Sequence, residues 1–429
     1  MEIRRKGDGQ LSVDVLTDSW YGSRRHGYLY SKRELAFPGS WDVTVFEPHA
    51  ADDMRPMSPD EVRRALQQPI GSEPLRRLAE GRRTAAIVID DLTRPTPSFA
   101  IVPLILEELE AGGIGAVDTR IVVGLGTHRP ITRAEMRRKL GRDVVEGVEV
   151  INHNAFTRRI TRFSRPNGEP DFGIHQAVGE ADLKITVGAV TPHGGAGFGG
   201  GAKAFLPAVA ECKSIMYNHQ KYTWEGPGID ITSTCIRRDM EVVAAAAGLD
   251  FSVNAVVSPA KDVLGVFAGH FIEAHRAGCV LADRMFRTPV PQETLDVVVT
   301  AGYPFDTDIG QSHRGSWPEK HSAVSVLVAV ARDAWAYHGD NGTSWRAHQR
   351  GKRQQQPLDA YRFRGVADAQ GDGSRHYYSP TVDAGVFYER QSNRTFHSCW
   401  DETVRSLGGD RQGVTVGVFP FASTQLEDA

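Results

Sequence analysis

Three stretches of this chain follow one plan: a short continuous apolar run, an abrupt break, then a helical pattern. Ala85-Ala-Ile-Val-Ile-Asp90 is stopped by Asp91-Leu-Thr-Arg-Pro-Thr-Pro97 and followed by an amphipathic stretch over Ile101–Ala111. Asp118–Val123 ends in Gly124-Leu-Gly-Thr-His-Arg-Pro130, after which Thr132 is placed to cap a helix through Leu140. Asp182–Val187 runs into a glycine-dense loop, with Pro207–Asn218 read as the helix beyond it. Apolar runs without alternation predict strands buried on both faces. Their recurrence with helices predicts right-handed βαβ units and a mostly parallel sheet. In such sheets ligands bind beyond the carboxyl ends of the strands. All three breaks lie there, so they are expected to converge on one site.

At 429 residues the chain exceeds one ordinary core, and two α/β domains are expected. The first, 1–288, opens with short strands over 11–50 and a helix over Ser58–Leu66 capped by Ser58. It closes with a helix over Met240–Ala247, a strand over Phe251–Val257 and a helix over Ile272–Phe286. Arg287-Thr-Pro-Val-Pro291 reads as the boundary. The smaller second domain, 289–429, begins with a strand at Leu295–Thr300 and ends with one at Thr415–Phe419, a candidate to pack back on the first domain. The polar stretch 340–395 is assigned to no element. The active site is expected in the cleft between the domains.

Bulk properties exclude several classes. A net charge of -3 leaves no electrostatic footprint for nucleic acid or an anionic membrane. No run approaches the roughly 20 apolar residues of a membrane-spanning helix. The four cysteines, Cys212, Cys235, Cys279 and Cys399, are scattered without a CxxC pair. That spacing fits a reducing compartment and argues against a thiolate zinc site. A cytoplasmic location is expected.

The breaks carry the chemistry. Pro192–Lys203 holds one histidine, six glycines and one lysine in twelve residues. It differs from the phosphate-binding P-loop, because Ala202 stands where that motif needs Gly and Ala204 where it needs Ser or Thr. Asp91, Thr93 and Arg94 offer a carboxylate, a hydroxyl and a guanidinium suited to a carboxylate or phosphate; a local ion pair is the other reading. His128 and His193 occupy equivalent places in two units, and two imidazoles titrating near ~6.5 can exchange protons at physiological pH. Either is also compatible with a purely structural role. His219 has the chemistry of a nickel, zinc or copper ligand, but no second ligand follows at helical spacing.

Taken in order, Asp91-Leu-Thr-Arg-Pro, Gly126-Thr-His-Arg-Pro, Pro192–Lys203, His219 and Gly302-Tyr-Pro-Phe-Asp306 with Gln311 resemble the lactate racemase family. Gly248-Leu-Asp-Phe-Ser-Val-Asn and Phe267-Ala-Gly-His also resemble it. The resemblance implies a nickel-pincer nucleotide, pyridinium-3-thioamide-5-thiocarboxylic acid mononucleotide carrying nickel. Lys203 matches the lysine that tethers this group and His219 the protein nickel ligand, which would explain the missing second ligand. His128 and His193 match the acid/base pair. Asp91, Thr93, Arg94, Gly199 and Gly200 fall at cofactor-binding positions, and Arg94, Gln311 and Arg314 at substrate-binding ones. Cofactor-maturation proteins are implied as partners.

Two departures bear on substrate. Gly310 and Arg314 stand where the family's lactate enzymes carry Tyr and Lys. Losing the aromatic enlarges the pocket, and an arginine fork suits a second carboxylate or a polyol. A 2-hydroxy acid larger or more polar than lactate, of malate or aldonate type, is expected. The rival readings are a zinc-dependent hydrolase or lyase using the histidines, and a carboxylate-binding homologue without catalysis.

Overall fold

A computed structural model of the protein describes residues 2–7, 9–17, 31–49, 54–221, 226–228, 230, 232–334, 373–388 and 393–428. Of the polar stretch 340–395, residues up to 372 and 389–392 lie outside that set; Arg375–Tyr378 is a strand and Ala384–Tyr388 a short helix. Two α/β units result. One is built on 53–285, the other on the described residues up to 49 together with those from 286 onward.

In the unit on 53–285, the apolar runs become β1 (Ala85–Asp90), β2 (Thr119–Gly124), β3 (Glu149–Asn152), β4 (Leu183–Ala189) and β5 (Phe251–Val257), with β6 (Val263–Gly269) at one edge. Their order is β6-β5-β4-β1-β2-β3, every pairing parallel except β5 with β6. Ile87, Val88 and Ile89 of the central β1 are fully buried, as their unbroken apolar run requires. Each such side chain contributes roughly 1.5–3 kcal/mol by leaving water. Helix α1 (Ser98–Ala111) covers the sheet with Ile101, Val102, Ile105 and Leu109. The expected cap at Thr132 is a full capping box with Glu135, starting α2 (Arg133–Leu140), and Ser58 makes the same box with Glu61.

Two elements depart from the sequence reading. The helix expected from Pro207 begins only at Cys212, giving α3 (Cys212–Gln220). Residues 207–210 instead lend carbonyls to neighbours: Gly126 N–H donates to Ala208 at 2.8 Å, and the Val209 carbonyl accepts from His175 N–H at 2.8 Å. The helix expected at Met240 starts earlier, as α4 (Cys235–Ala246), because Thr234 caps it by accepting from Arg237 N–H. Helix α5 (Glu273–Phe286) completes this unit's elements.

The second unit holds a six-stranded, wholly parallel sheet in the order 395–397, 375–378, 322–328, 295–301, 415–419, 42–45. This corrects the expected division at 1–288. Asp42–Val45 pairs with Thr415–Phe419, so the N-terminal strands belong with the C-terminal unit. Hydrophobic periodicity identifies a strand but not a parallel partner so distant in sequence. Thr415–Phe419, expected as the last strand, therefore sits between Leu295–Ala301 and Asp42–Val45, and a further strand, Leu426–Asp428, follows it and pairs with Arg287–Pro289. Among the described residues no helix is long and apolar enough to cross a membrane.

Each unit buries a neutral histidine. Burial, then the neighbouring His175, pushes His153 down to about 3; burial, then Arg394, pushes His313 down to about 4. Both folded values lie below the ~6.5 of an unfolded histidine, so the unfolded chain binds the extra protons. Stability therefore rises with pH from about 4 to about 6.5 and is lost on acidification through that window. Urea midpoints at pH 5 are expected below those at pH 7, with the extrapolated unfolding free energy lower by about 2 kcal/mol for each such histidine. Equal midpoints would contradict the buried neutral rings.

Candidate active site

From β1 the chain winds outward through β2 and β3 on one side and β4 and β5 on the other, so the winding reverses between β1 and β4. Loops leaving carboxyl ends beside such a reversal form the usual ligand crevice. Asp91–Arg94 follow β1, Thr127 and His128 follow β2, and His193–Lys203 follow β4.

Asp91 and His128 are directly paired: Asp91 Oδ2 lies 2.5 Å from His128 Nδ1. The other Asp91 oxygen accepts from Thr93 N–H at 3.0 Å and Thr93 Oγ1–H at 2.6 Å. Burial would raise the Asp91 pKa. The charge and hydrogen bond of His128, then Arg94 and Thr93, outweigh it and hold the carboxyl well below the usual range. An ionised acceptor at Nδ1 places the imidazole proton there, leaving the neutral ring's lone pair on Nε2. Arg94 donates to the Thr93 carbonyl at 3.0 Å and hydroxyl at 2.7 Å, which fixes the guanidinium against the same loop.

His193 is set the opposite way. Its Nδ1 accepts from the backbone N–H groups of Gly195 and Ala196 at 3.3 and 3.2 Å. The neutral ring therefore carries its proton on Nε2. One histidine is poised to accept, the other to donate.

The glycine loop is locked from behind by side chains the sequence reading did not single out. Arg237, fully buried on α4, donates to the carbonyls of Ala196 (3.3 Å), Gly200 (3.1 Å) and Phe198. His275 Nε2 lies 2.6 Å from the Gly199 carbonyl, and Asn254 Oδ1 accepts from Gly201 N–H at 2.8 Å. Gly200 and Gly201 have φ of +76° and +57°. Cβ atoms there would come 3.1 Å from Asn254 Oδ1 and 2.8 Å from the His275 ring. These glycines thus answer to the chain's own close packing. Burial lowers Arg237 to about 10, which still leaves it charged at neutral pH. Arg237→Met is expected to raise amide exchange across 194–203 at least about tenfold while β1 and β4 stay protected. Unchanged protection of the loop would refute the clamp.

Lys203 ends this loop on the turn Gly201–Ala204. His219 lies in the last turn of α3 with Nδ1 3.0 Å from the Ile215 carbonyl, so Nδ1 bears the proton and Nε2 the lone pair. Burial, then the Lys203 ammonium, pushes its pKa down to about 4. A neutral, tautomerically fixed imidazole beside the lysine is the form a metal ligand needs. Among the described residues no three His, Cys, Asp or Glu side chains gather to hold a metal. A closed zinc site built from protein alone has no support there; a metal at His219 would take its other donors from a bound group.

In the second unit, Gln311 and Arg314 follow the strand Leu295–Ala301. Asp308 caps the short helix Ile309–Ser312 by accepting from Gln311 N–H at 2.9 Å. Arg314 donates to Gln311 Oε1 at 3.4 Å and lies over the Phe305 ring, 4.4 Å from its centroid. Guanidinium and amide therefore present as one unit.

Comparison with known proteins now bears on this geometry. Residues 28–229 match the model of the lactate racemase N-terminal domain. The lactate racemase of Thermoanaerobacterium thermosaccharolyticum is 33% identical over 329 residues, covering 73% of this chain and 75% of that protein. The chain belongs to the lactate racemase family. A second lactate racemase, from Lactiplantibacillus plantarum, is 33% identical over 291 residues, 66% of this chain and 68% of its own length. The lactate racemase apoprotein of T. thermosaccharolyticum superposes with a TM-score of 0.73 at 25% identity, covering 97% of this chain and all of that one. A Thermotoga maritima protein shares the fold at a TM-score of 0.60 and 16% identity, over 87% and 98% of the two chains. Family membership makes this chain an isomerase of the racemase class.

Proposed function

We propose that the protein racemises or epimerises a 2-hydroxy acid larger or more polar than lactate, using a nickel-pincer nucleotide tethered to Lys203. The observation that carries the cofactor reading is the neutral His219 imidazole, oriented by the Ile215 carbonyl and within electrostatic reach of Lys203. When bound, the group supplies an electrophilic acceptor for the α-hydrogen as hydride, chemistry that no side chain offers. His219 would hold the nickel through Nε2, and Asp91, Thr93, Arg94 and the backbone at Gly199 and Gly200 would border the group.

An α-hydrogen beside a carboxylate is a poor acid, so the proton taken first is that of the substrate hydroxyl. His128 accepts it at Nε2, and Asp91 stabilises the imidazolium that forms. To supply the proton of the re-formed hydroxyl in the inverted product, His193 enters the step as the imidazolium, gives up its Nε2 proton and ends neutral. The imidazolium form requires Nδ1 to release the Gly195 and Ala196 N–H groups. In the reverse direction the histidines exchange roles.

Arg94, Gln311 and Arg314 are proposed to bind substrate carboxylate and hydroxyl groups. The stacked Arg314 offers a planar fork matched to a second carboxylate or a polyol. Arg314→Lys is expected to shift kcat/KM about tenfold towards lactate relative to malate or gluconate. An unchanged ratio would remove Arg314 from specificity. The cytoplasm is the proposed compartment, consistent with four unpaired cysteines, and cofactor-maturation proteins are the proposed partners.

Protein co-produced with cofactor-maturation enzymes tests the reading through intact mass, nickel content and a panel of lactate, malate and gluconate. A mass increment on Lys203, one nickel per chain and isomerisation of the larger acids are expected. Unmodified protein carrying zinc would favour the hydrolase reading, and cofactor-loaded protein without isomerisation would favour a binding homologue.

A further inference from the structure

Lys139 is a cation in the last turn of α2 whose side chain is fully buried. Its Nζ donates to Asp90 Oδ1 at 2.6 Å and shares its remaining two N–H groups among the carbonyls of Asp91 (3.1 Å), Thr96 (3.1 Å) and Arg94 (3.4 Å). The acceptors are the last residue of β1, Asp90, and three residues of the loop that leaves it. Thr96 Oγ1 donates back to Asp90 Oδ2, closing that loop on itself. Burying an ammonium is unfavourable unless a counter-charge and hydrogen bonds compensate it, and here Asp90 and the carbonyls of Asp91, Arg94 and Thr96 supply such compensation.

The helix that carries Lys139 is in turn fixed to the His128 loop. Arg129 makes a two-pronged pair with Glu135 at 2.8 and 3.1 Å, and Glu135 also accepts from Thr132 N–H at 2.7 Å. Lys139 thus ties the segment bearing His128 to the segment bearing Asp91. It meets Asp91 through that residue's backbone carbonyl.

We propose that Lys139 is a positioning residue for the acid–base chemistry, setting the separation of the Asp91 carboxylate and His128 Nδ1. Removing it would release the loop from α2, lengthen the carboxylate–imidazole contact and let the ring sample both tautomers. The catalytic consequence rests on the proposed role of His128; the geometric one does not.

The experiment reads both. Imidazole 15N shifts of His128 in the apoprotein report its tautomer without cofactor, with Asp91→Asn as the reference for a released ring. Lys139→Met removes the ammonium at similar volume; Thr96→Val loosens the same loop and serves if Lys139→Met does not fold. Movement of the His128 shifts towards the Asp91→Asn values in a folded variant is expected. In cofactor-loaded enzyme, kcat should fall at least about tenfold with KM and Lys203 attachment unchanged. Wild-type shifts in the folded variants would overturn the proposal. Displaced shifts with undiminished kcat would leave the positioning intact and overturn His128 as the base.

Discussion

Lys203→Ala is expected to abolish both cofactor attachment and activity. Intact mass should show no increment at this position and nickel content should fall to background, because His219 alone offers one protein donor. Racemisation should drop to the uncatalysed rate, a loss of at least about 10⁶-fold. The fold should survive, since Lys203 is only partly buried and its loop is held by Arg237, His275 and Asn254. Lys203→Arg separates charge from covalency: it retains the cation but cannot form the thioamide, so it should fail as completely. Full racemisation by Lys203→Ala in nickel-free buffer would sink the tethered-cofactor reading.

Asp91→Asn should produce the second largest effect, with kcat reduced about 10³–10⁴-fold and the mass increment on Lys203 preserved. The amide matches the carboxylate in shape but can donate to Nδ1, which would move the imidazole proton to Nε2 and leave His128 unable to accept there. Because Asp91 is held ionised well below the usual carboxylate range, it stays charged through any assay above pH 5. The acidic limb of the wild-type pH–rate profile above pH 5 is therefore not expected to report Asp91. A variant within a factor of ten of wild-type kcat would show that tautomer control is unimportant.

What could be read from the residues follows from how local each signal is. Ala85–Asp90 and Phe251–Val257 declare themselves as buried strands because the information lies within the run, and both are strands over those bounds. The caps at Ser58 and Thr132 lie in four-residue patterns and were equally legible. The helix expected from Pro207 depends on what residues 207–210 touch, and those contacts are with Gly126 and His175. The edge strand Val263–Gly269 carries two glycines that weaken its pattern.

The site divides in the same way. His128, His193, Lys203 and His219 stand out through spacing and motif. Arg237 and Lys139 do not, since in a sequence a buried cation looks like any solvated one. Each betrays itself only when its acceptors are seen: three carbonyls of one loop for Arg237, one carboxylate and three carbonyls of another for Lys139. The division of the chain was the least legible feature, because parallel pairing between its two ends leaves no mark on either.

That pairing imposes an order of events during synthesis. Asp42–Val45 leaves the ribosome long before its neighbour in the sheet exists; Trp41 and the Arg411 carbonyl that its indole binds are 370 residues apart. The described residues of the unit on 53–285 all come from that one stretch of sequence and can close its core from local βαβ contacts as it emerges. Asp42–Val45 must wait, with its edge uncovered, until Thr415–Phe419 has been made. The unit proposed to carry the cofactor is complete before five of the six strands of its companion's parallel sheet have been made, and a nascent chain stalled before residue 415 would hold the glycine loop already formed.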